Sequence, residues 1–222
     1  MREIKNEYLH MSKNEYLHEN NQNLNKNGSM ATMAEKMAAS LEELRKLQEK
    51  DRCVVLQGTA EIGRTPLTRL LDNGWLQEVM KGWYIAARPG TEGDTTIWYT
   101  SFWYFIAKYA AVRLGERWCL TADQSLDLYS GKTTVPVQVI IKSPKGHNNT
   151  QKLMYDTSLL VFQSEIPDQV YKEPEYGLNL YPLAEALVYA TPRYFQVEKI
   201  AARTCLCKWV LALVKHALRL VE

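Results

Sequence analysis

Arg64, Thr65, Thr68 and Arg69 fall in one short stretch, RTPLTRLLD, with Leu67, Leu70 and Leu71 between and after them. Leucines at that spacing form the buried stripe of a helix, which leaves the arginines and threonines for its outer face. Short hydroxyls and forked guanidinium groups are the side chains that reach base edges and phosphate oxygens when a helix lies in a major groove. Further on, Lys81-Gly82 reads as the turn of a hairpin between WLQEVM and WYIA. A lysine at such a tip, with Arg88 beyond, suits phosphate contact. Two arginines on a helix are also ordinary on any solvated face, so the pattern alone leaves DNA and protein both open as partners.

Other constellations carry less chemistry. The four histidines are His10, His18, His147 and His216, none with an acid and a nucleophile at a recognisable spacing. Lys145-Gly146-His147 lacks the flanking glycine and the Lys-Ser/Thr ending of a phosphate loop. Asp123 and Asp127 lie one helical turn apart, the arrangement of a solvated acidic face. Cys205-Leu206-Cys207 has no second Cys/His pair with which to hold zinc. The expectation is a non-enzymatic chain with no catalytic, cofactor-binding or metal-binding residues.

The elements that must position Arg64 to Lys81 can be read around them. Met37, Leu41, Leu44 and Leu47 recur at three- and four-residue spacing, the mark of an amphipathic helix in which Ser40 is an ordinary interior position. Cys53 to Leu56 reads as a strand, and Gly58 to Gly63 leaves room only for a turn or one short helix. Thr65 is expected to cap the next helix, with Pro66 in its first turn and Asn73-Gly74 ending it. Helix, short helix, helix and a two-stranded wing is the order of a winged helix-turn-helix. Beyond it, Trp98 to Leu114 reads as an aromatic-rich core helix, Trp118 to Leu120 as a strand, and Thr121 to Gly131 as a capped helix. Val135 to Ile141 is a strand that begins after Pro136, and Pro144 to Asn149 is a loop. Lys152 to Gln163 holds one strand or two, and Tyr181 to Ala190 is a helix with Pro182 at its start. Leu206, Trp209, Val210, Leu213, Val214, Ala217, Leu218 and Val221 share one arc of a last helix, opposite Lys208, Lys215 and Arg219. Packing of that arc on its own domain or on a partner subunit is the first expectation, and contact with a membrane surface the second.

At 222 residues and 46% hydrophobic, the chain has material for a sizeable core. The net charge of +2 is small but unevenly spread. Gln151 to Pro192 holds two basic and six acidic residues, and Arg193 to Glu222 holds six basic and two acidic. The opening MREIKNEYLH has no apolar core of a secretory signal, and no apolar run suffices to span a bilayer. A cytoplasmic location with reduced thiols is expected, with no membrane partner. KNEYLH occurs at Lys5–His10 and again at Lys13–His18, followed by the Asn-rich ENNQNLNKNGS. Residues 1–33 are read as a disordered polar tail or an upstream extension of the reading frame. The remaining expected divisions are a winged helix-turn-helix over 34–90, an α/β domain over 91–196 and an amphipathic helix over 197–222. The fold class is α/β in the mixed α+β sense.

The stretches SLEELRKLQEKDRCVV, RLLDNGWLQEVMKGWYIAARPG, TSFWYFIAKYAAVRLGERWCLTADQSLDLYSG, VQVIIKSPKG and DTSLLVFQSEIP resemble AbiEi-type antitoxin-like proteins. They are most similar to the antitoxin-like portion that precedes the catalytic domain in some Fic family proteins, over about residues 40–196. The resemblance implies a winged helix joined to a mixed α/β antitoxin-like domain. It implies repression of the chain's own operon through operator DNA, and action against a cognate nucleotidyltransferase toxin. By position, the implied DNA contacts are Arg64, Thr65, Thr68, Arg69 and Lys81. No histidine here is followed by Pro-Phe, so this sequence holds no histidine-led Fic loop, and AMP transfer is not expected. A possible homodimer, and an alternative role as a module that regulates a separately encoded toxin without touching DNA, complete the expectations.

Overall fold

The computed structural model describes residues 32–50, 55–91 and 93–219. The KNEYLH repeat, the Asn-rich stretch, Cys53, Val54 and Val221 lie outside the described residues. The chain divides into two compact units, Met1–Ala39 and Ser40–Glu222. In the first, Thr32 and Glu35 satisfy each other at the start of α1 (Met33–Lys50). The Thr32 amide donates to the Glu35 carboxylate at 2.7 Å and the Glu35 amide to Thr32 Oγ1 at 3.2 Å. This reciprocal capping box answers two of the donors that a helix start leaves unpaired.

In the second unit, β1 (Val55–Leu56), β2 (Leu76–Met80) and β3 (Trp83–Ala86) form an antiparallel sheet in the order β1-β3-β2. Between β1 and β2 come a three-residue 3-10 turn at Gly58–Ala60 and α2 (Arg64–Asp72). The stretch before α2 therefore resolves into a turn and not a full helix, because Gly58 and Gly63 leave too few residues between them. Leu44, Leu56, Ile62, Leu67, Leu70 and Leu76 make a small core that seats α2 against α1 and the sheet.

The centre of the unit is α3 (Thr96–Leu114). Trp98, Phe102, Trp103, Phe105, Ile106, Tyr109 and Ala110 are all buried and, with buried Ser101 and Ala107, cover about two thirds of the circumference, the pattern of a core helix. Its aromatic rings pack edge to face or tilted, as in the Trp83–Phe105 and Trp98–Phe102 pairs. On one side α3 meets the hairpin through Val55, Val79, Trp83 and Ile85. On the other it meets a mixed sheet through Val139, Ile141, Leu159 and Val161. One hydrophobic cluster thus spans the boundary expected at residue 90.

That sheet has the order β4-β5-β7-β6, from β4 (Cys119–Leu120), β5 (Gln138–Ser143), β6 (Thr150–Lys152) and β7 (Ser158–Gln163). β5 and β7 run parallel in register from Gln138↔Ser158 to Ser143↔Gln163, and β4 and β6 are antiparallel at the edges. The turn between β6 and β7 takes two residues into the left-handed region, Tyr155 at φ 49° and Asp156 at φ 57°. β5 begins after Pro136, as the sequence suggested, whereas the 152–163 region holds one whole strand, β7, and only the last residue of β6, which begins at Thr150.

The rest is helical apart from one small ribbon, β8 (Tyr171–Lys172) with β9 (Asn179–Leu180). α4 (Ala122–Ser130) is capped by Thr121, whose hydroxyl accepts from the Gln124 amide, and ends at left-handed Gly131. α5 (Leu183–Tyr189) starts later than expected, because Pro182 is its cap and Tyr181 is buried ahead of it. α6 (Pro192–Val197) and α7 (Lys199–Arg219) follow. Asp123 and Asp127 do not form the expected solvated face. Asp123 accepts from the Thr191 amide and hydroxyl at 2.8 and 2.7 Å, and Asp127 from the Tyr194 hydroxyl at 3.0 Å. They tie α4 to α6, an element that the sequence pattern does not reveal. Cys119, Tyr181, Ala186, Tyr194, Ala201, Ala202 and Cys205 bury one another in the second core cluster.

Candidate nucleic-acid interface

The start of α2 is fixed by a charge from α3. Lys108 Nζ donates to the Glu61 carboxylate at 2.6 Å and to the Val55 carbonyl. Glu61 in turn accepts from the Gln57 amide at 2.8 Å. The acidic side chain nearest the helix start is therefore neutralised and folded back against the turn. Gly63 then caps α2 without a side-chain hydrogen bond, and Arg64 is its first residue. Thr65 is a helical residue and not the expected cap, since the chain turns helical one position earlier. Gly74, at φ +73°, ends the helix as expected, and the Asn73 side chain donates to the Arg69 carbonyl at 2.8 Å.

At about 100° per residue, Arg64, Thr65 and Thr68 share an arc about 100° wide. All three are exposed, while Leu67 and Leu70 are buried on the other side. The Thr68 hydroxyl donates to the Arg64 carbonyl at 3.1 Å, so its methyl and oxygen are both held at the surface. Asp72 lies on the same arc at the C-terminal end and is exposed, a negative charge with no counterpart among the expected contact residues. The first two turns of that face are therefore cationic and hydroxylic, and the last turn is acidic.

Arg69 is a correction. It lies between the exposed arc and the buried stripe, half-buried, and its guanidinium donates to the Ser40 hydroxyl of α1. Ser40 itself is buried, not an ordinary helix position. Arg69 thus joins α1 to α2 and is not an outward donor. The signal in sequence was weak: Arg69 falls about 40° outside the arc of the other three, close to the boundary that a periodicity argument resolves.

Lys81 is exposed at the β2–β3 turn, where Gly82 adopts φ +81°. The preceding Glu78 carboxylate accepts from the Gly82 amide at 3.2 Å, so the tip carries one acid beside its lysine. Arg88, past the end of β3, is exposed. It borders an open groove of about 550 Å³, walled by Leu41, Leu44, Trp75, Ile97 and Tyr104.

Elsewhere the chemistry is sparse. Cys205 is buried with its thiol on the Leu126 carbonyl, and burial pushes it up to about 11. Cys207 is exposed on another side of α7, so the two sulfurs do not face one site. Burial also pushes the Cys119 thiol up to about 12. Among the described residues, no three His, Cys, Asp or Glu side chains come together as a metal site. Among the same residues, no helix is long and apolar enough to cross a membrane.

No family model matches the chain, and neither the curated proteins nor the solved structures include a match.

Proposed function

We propose that this chain is a DNA-binding regulator of the antitoxin type, without enzymatic activity, that represses its own operon from the cytoplasm. α1, the short 3-10 turn, α2 and the β2–β3 hairpin act as a winged helix-turn-helix, with α2 as the reading helix. One observation carries this: Leu67 and Leu70 are buried while Arg64, Thr65 and Thr68 share the exposed arc at the helix start, just ahead of a hairpin with exposed Lys81. The N-terminal residues of a reading helix are those that meet base edges. Arg69 drops out of the contact set because it is engaged with Ser40.

The test is an anisotropy titration with the chain's own promoter and with scrambled DNA, at two salt concentrations. Arg64→Ala should weaken promoter binding by ~1–3 kcal/mol and reduce discrimination against the scrambled sequence. Lys81→Ala should weaken both DNAs alike and lower the salt dependence by about one unit of slope. A wild-type chain that binds neither DNA refutes the reading.

A second reading is supported by the apolar side chains that α7 leaves uncovered. In it the chain is an interaction module, single or as a homodimer, that holds a separately encoded Fic-type or nucleotidyltransferase toxin and never touches DNA. Co-expression with the neighbouring gene product, followed by copurification in high salt, separates the two.

A further inference from the structure

α7 changes partners half-way along its length. Ala201, Ala202 and Cys205 are buried against the α4–α6 region. Lys208 still reaches back to the Tyr129 carbonyl, and Trp209 is half-buried. Past that point the apolar side chains are uncovered: Val210, Leu211, Leu213, Val214 and Leu218 are between 50% and 64% exposed. The cause is register. At about 100° per residue, the Ala201–Cys205 stripe and the Leu206–Leu218 arc are centred roughly 150° apart around the helix. The face that docks on the protein and the face that is rich in leucine and valine therefore point in nearly opposite directions. The sequence-level expectation that this arc packs on its own domain fails for that reason. Ile200, 84% exposed, belongs to the outward arc as well.

Charge selects the occupant. From Lys199 to Arg219 the charged residues are Lys199, Arg203, Lys208, Lys215 and Arg219, with no carboxylate among them. Lys199 and Arg203 lie at the same azimuth as the apolar arc, Lys215 lies about 40° beyond its nearer edge, and Arg219 lies nearly opposite its centre. A second copy of the helix laid on this face would set those cations against their equals. The arc is also roughly 160° wide, broader than the a/d seam of a helix pair. A wide apolar face pointing away from the protein, with only cations among and beside it, matches an anionic lipid surface.

We propose that the distal half of α7 docks the chain on anionic membrane surfaces. The helix lies in the plane of the interface, with Val210, Leu213, Val214 and Leu218 in the acyl boundary. Lys199, Arg203 and Lys215 meet the headgroups, and Arg219 with the rest of the chain stays on the aqueous side. This is peripheral association, compatible with the lack of a membrane-crossing helix among the described residues. It does not depend on whether α2 meets DNA.

The experiment is sedimentation of the full chain with vesicles of phosphatidylcholine alone and of phosphatidylcholine mixed with phosphatidylglycerol. Binding to the mixed vesicles, weakened by salt and absent from the neutral ones, is expected. The double variant Leu213→Glu/Val214→Glu should abolish it with an unchanged melting curve, because both side chains are exposed. Arg203→Gln and Lys215→Gln should each weaken it about fivefold, the equivalent of ~1 kcal/mol per charge at a lipid surface. Failure to sediment with the mixed vesicles overturns the proposal. So does a wild-type dimer in light scattering that the double variant dissolves, combined with vesicle binding that the same variant leaves intact.

Discussion

Arg64 and Arg69 are identical in type, five positions apart, and different in role. Arg64 is exposed at the first position of α2, whereas Arg69 spends its guanidinium on the buried Ser40 hydroxyl. Arg69→Ala should therefore lower stability by about 1–3 kcal/mol, the range for a hydrogen bond from a charged group. Arg64→Ala should leave the denaturation midpoint unchanged. Urea melts of the two variants check this, and the reverse order would return Arg69 to the outward face. The sequence carried the leucine stripe and hence the helix, its end at Gly74 and three of the four outward residues. It could not place Arg69, because a residue between the exposed arc and the stripe is assigned by what stands opposite it. That partner, Ser40, lies 29 positions away and carries no periodic signal.

At the scale of elements, strands and capped helices were legible where a local rule governs them. Thr121 and Gly131 bound α4 as read, and Pro136 keeps β5 from starting early. The α4–α6 contact was not legible, since an acidic pair at one-turn spacing looks the same whether solvent or a helix lies over it. Burial pushes Asp127 above the usual carboxylate range, against the opposing pull of the Tyr194 hydroxyl and Lys132. The folded state therefore holds its proton more tightly than the unfolded chain does. Stability from this group is greatest below its unfolded value and is lost as pH rises through its folded one. Melting temperatures of wild type and Asp127→Asn should be nearest at about pH 4, with the wild type falling behind as pH rises. A wild type that gains on the variant with pH would mean that Tyr194 and Lys132 outweigh burial.

The loop after β5 offers a second element-scale test. A Cβ built on Gly146 would stand 2.4 Å from the Gln163 amide nitrogen and 2.5 Å from the Phe162 carbonyl carbon. Both are backbone atoms of β7, held by its parallel pairing with β5, so neither can yield cheaply. Gly146→Ala should cost about 1–3 kcal/mol, as overpacking does. Gly90→Ala puts a side chain on a left-handed residue at φ +78° but meets no atom, and should cost less. Equal losses would show that the β5–β6 loop moves to make room.

For the Ser40–Glu222 unit as a whole, the shared cluster around α3 is decisive. Trp83 and Ile85 of the hairpin, Phe102 and Phe105 of α3, and Val139 and Leu159 of the mixed sheet belong to it together. A chain that reads as two domains in sequence is joined by one core. Calorimetry should give a single unfolding transition whose enthalpy matches the van't Hoff value. Two separable transitions would mean that the hairpin region opens before α3 does. The sequence suggested a boundary near residue 90 because the order of elements read as a winged helix-turn-helix is complete there. The order of elements along the chain says nothing about which hydrophobic faces meet across the boundary.

The division of α7 at Cys205–Trp209 also makes the helix end a reporter. Its first turns are held by burial, whereas among the described residues nothing buries the turns beyond Trp209, which keep their own backbone hydrogen bonds. An isolated helical stretch of ten or so residues is marginal in water. Amide protons there should exchange with solvent orders of magnitude faster than those at Ala201 to Cys205, and slow when a surface covers the leucines. Exchange at Val210 to Leu218 therefore reads out occupancy of that face directly, without a label, whether the occupant is lipid or protein.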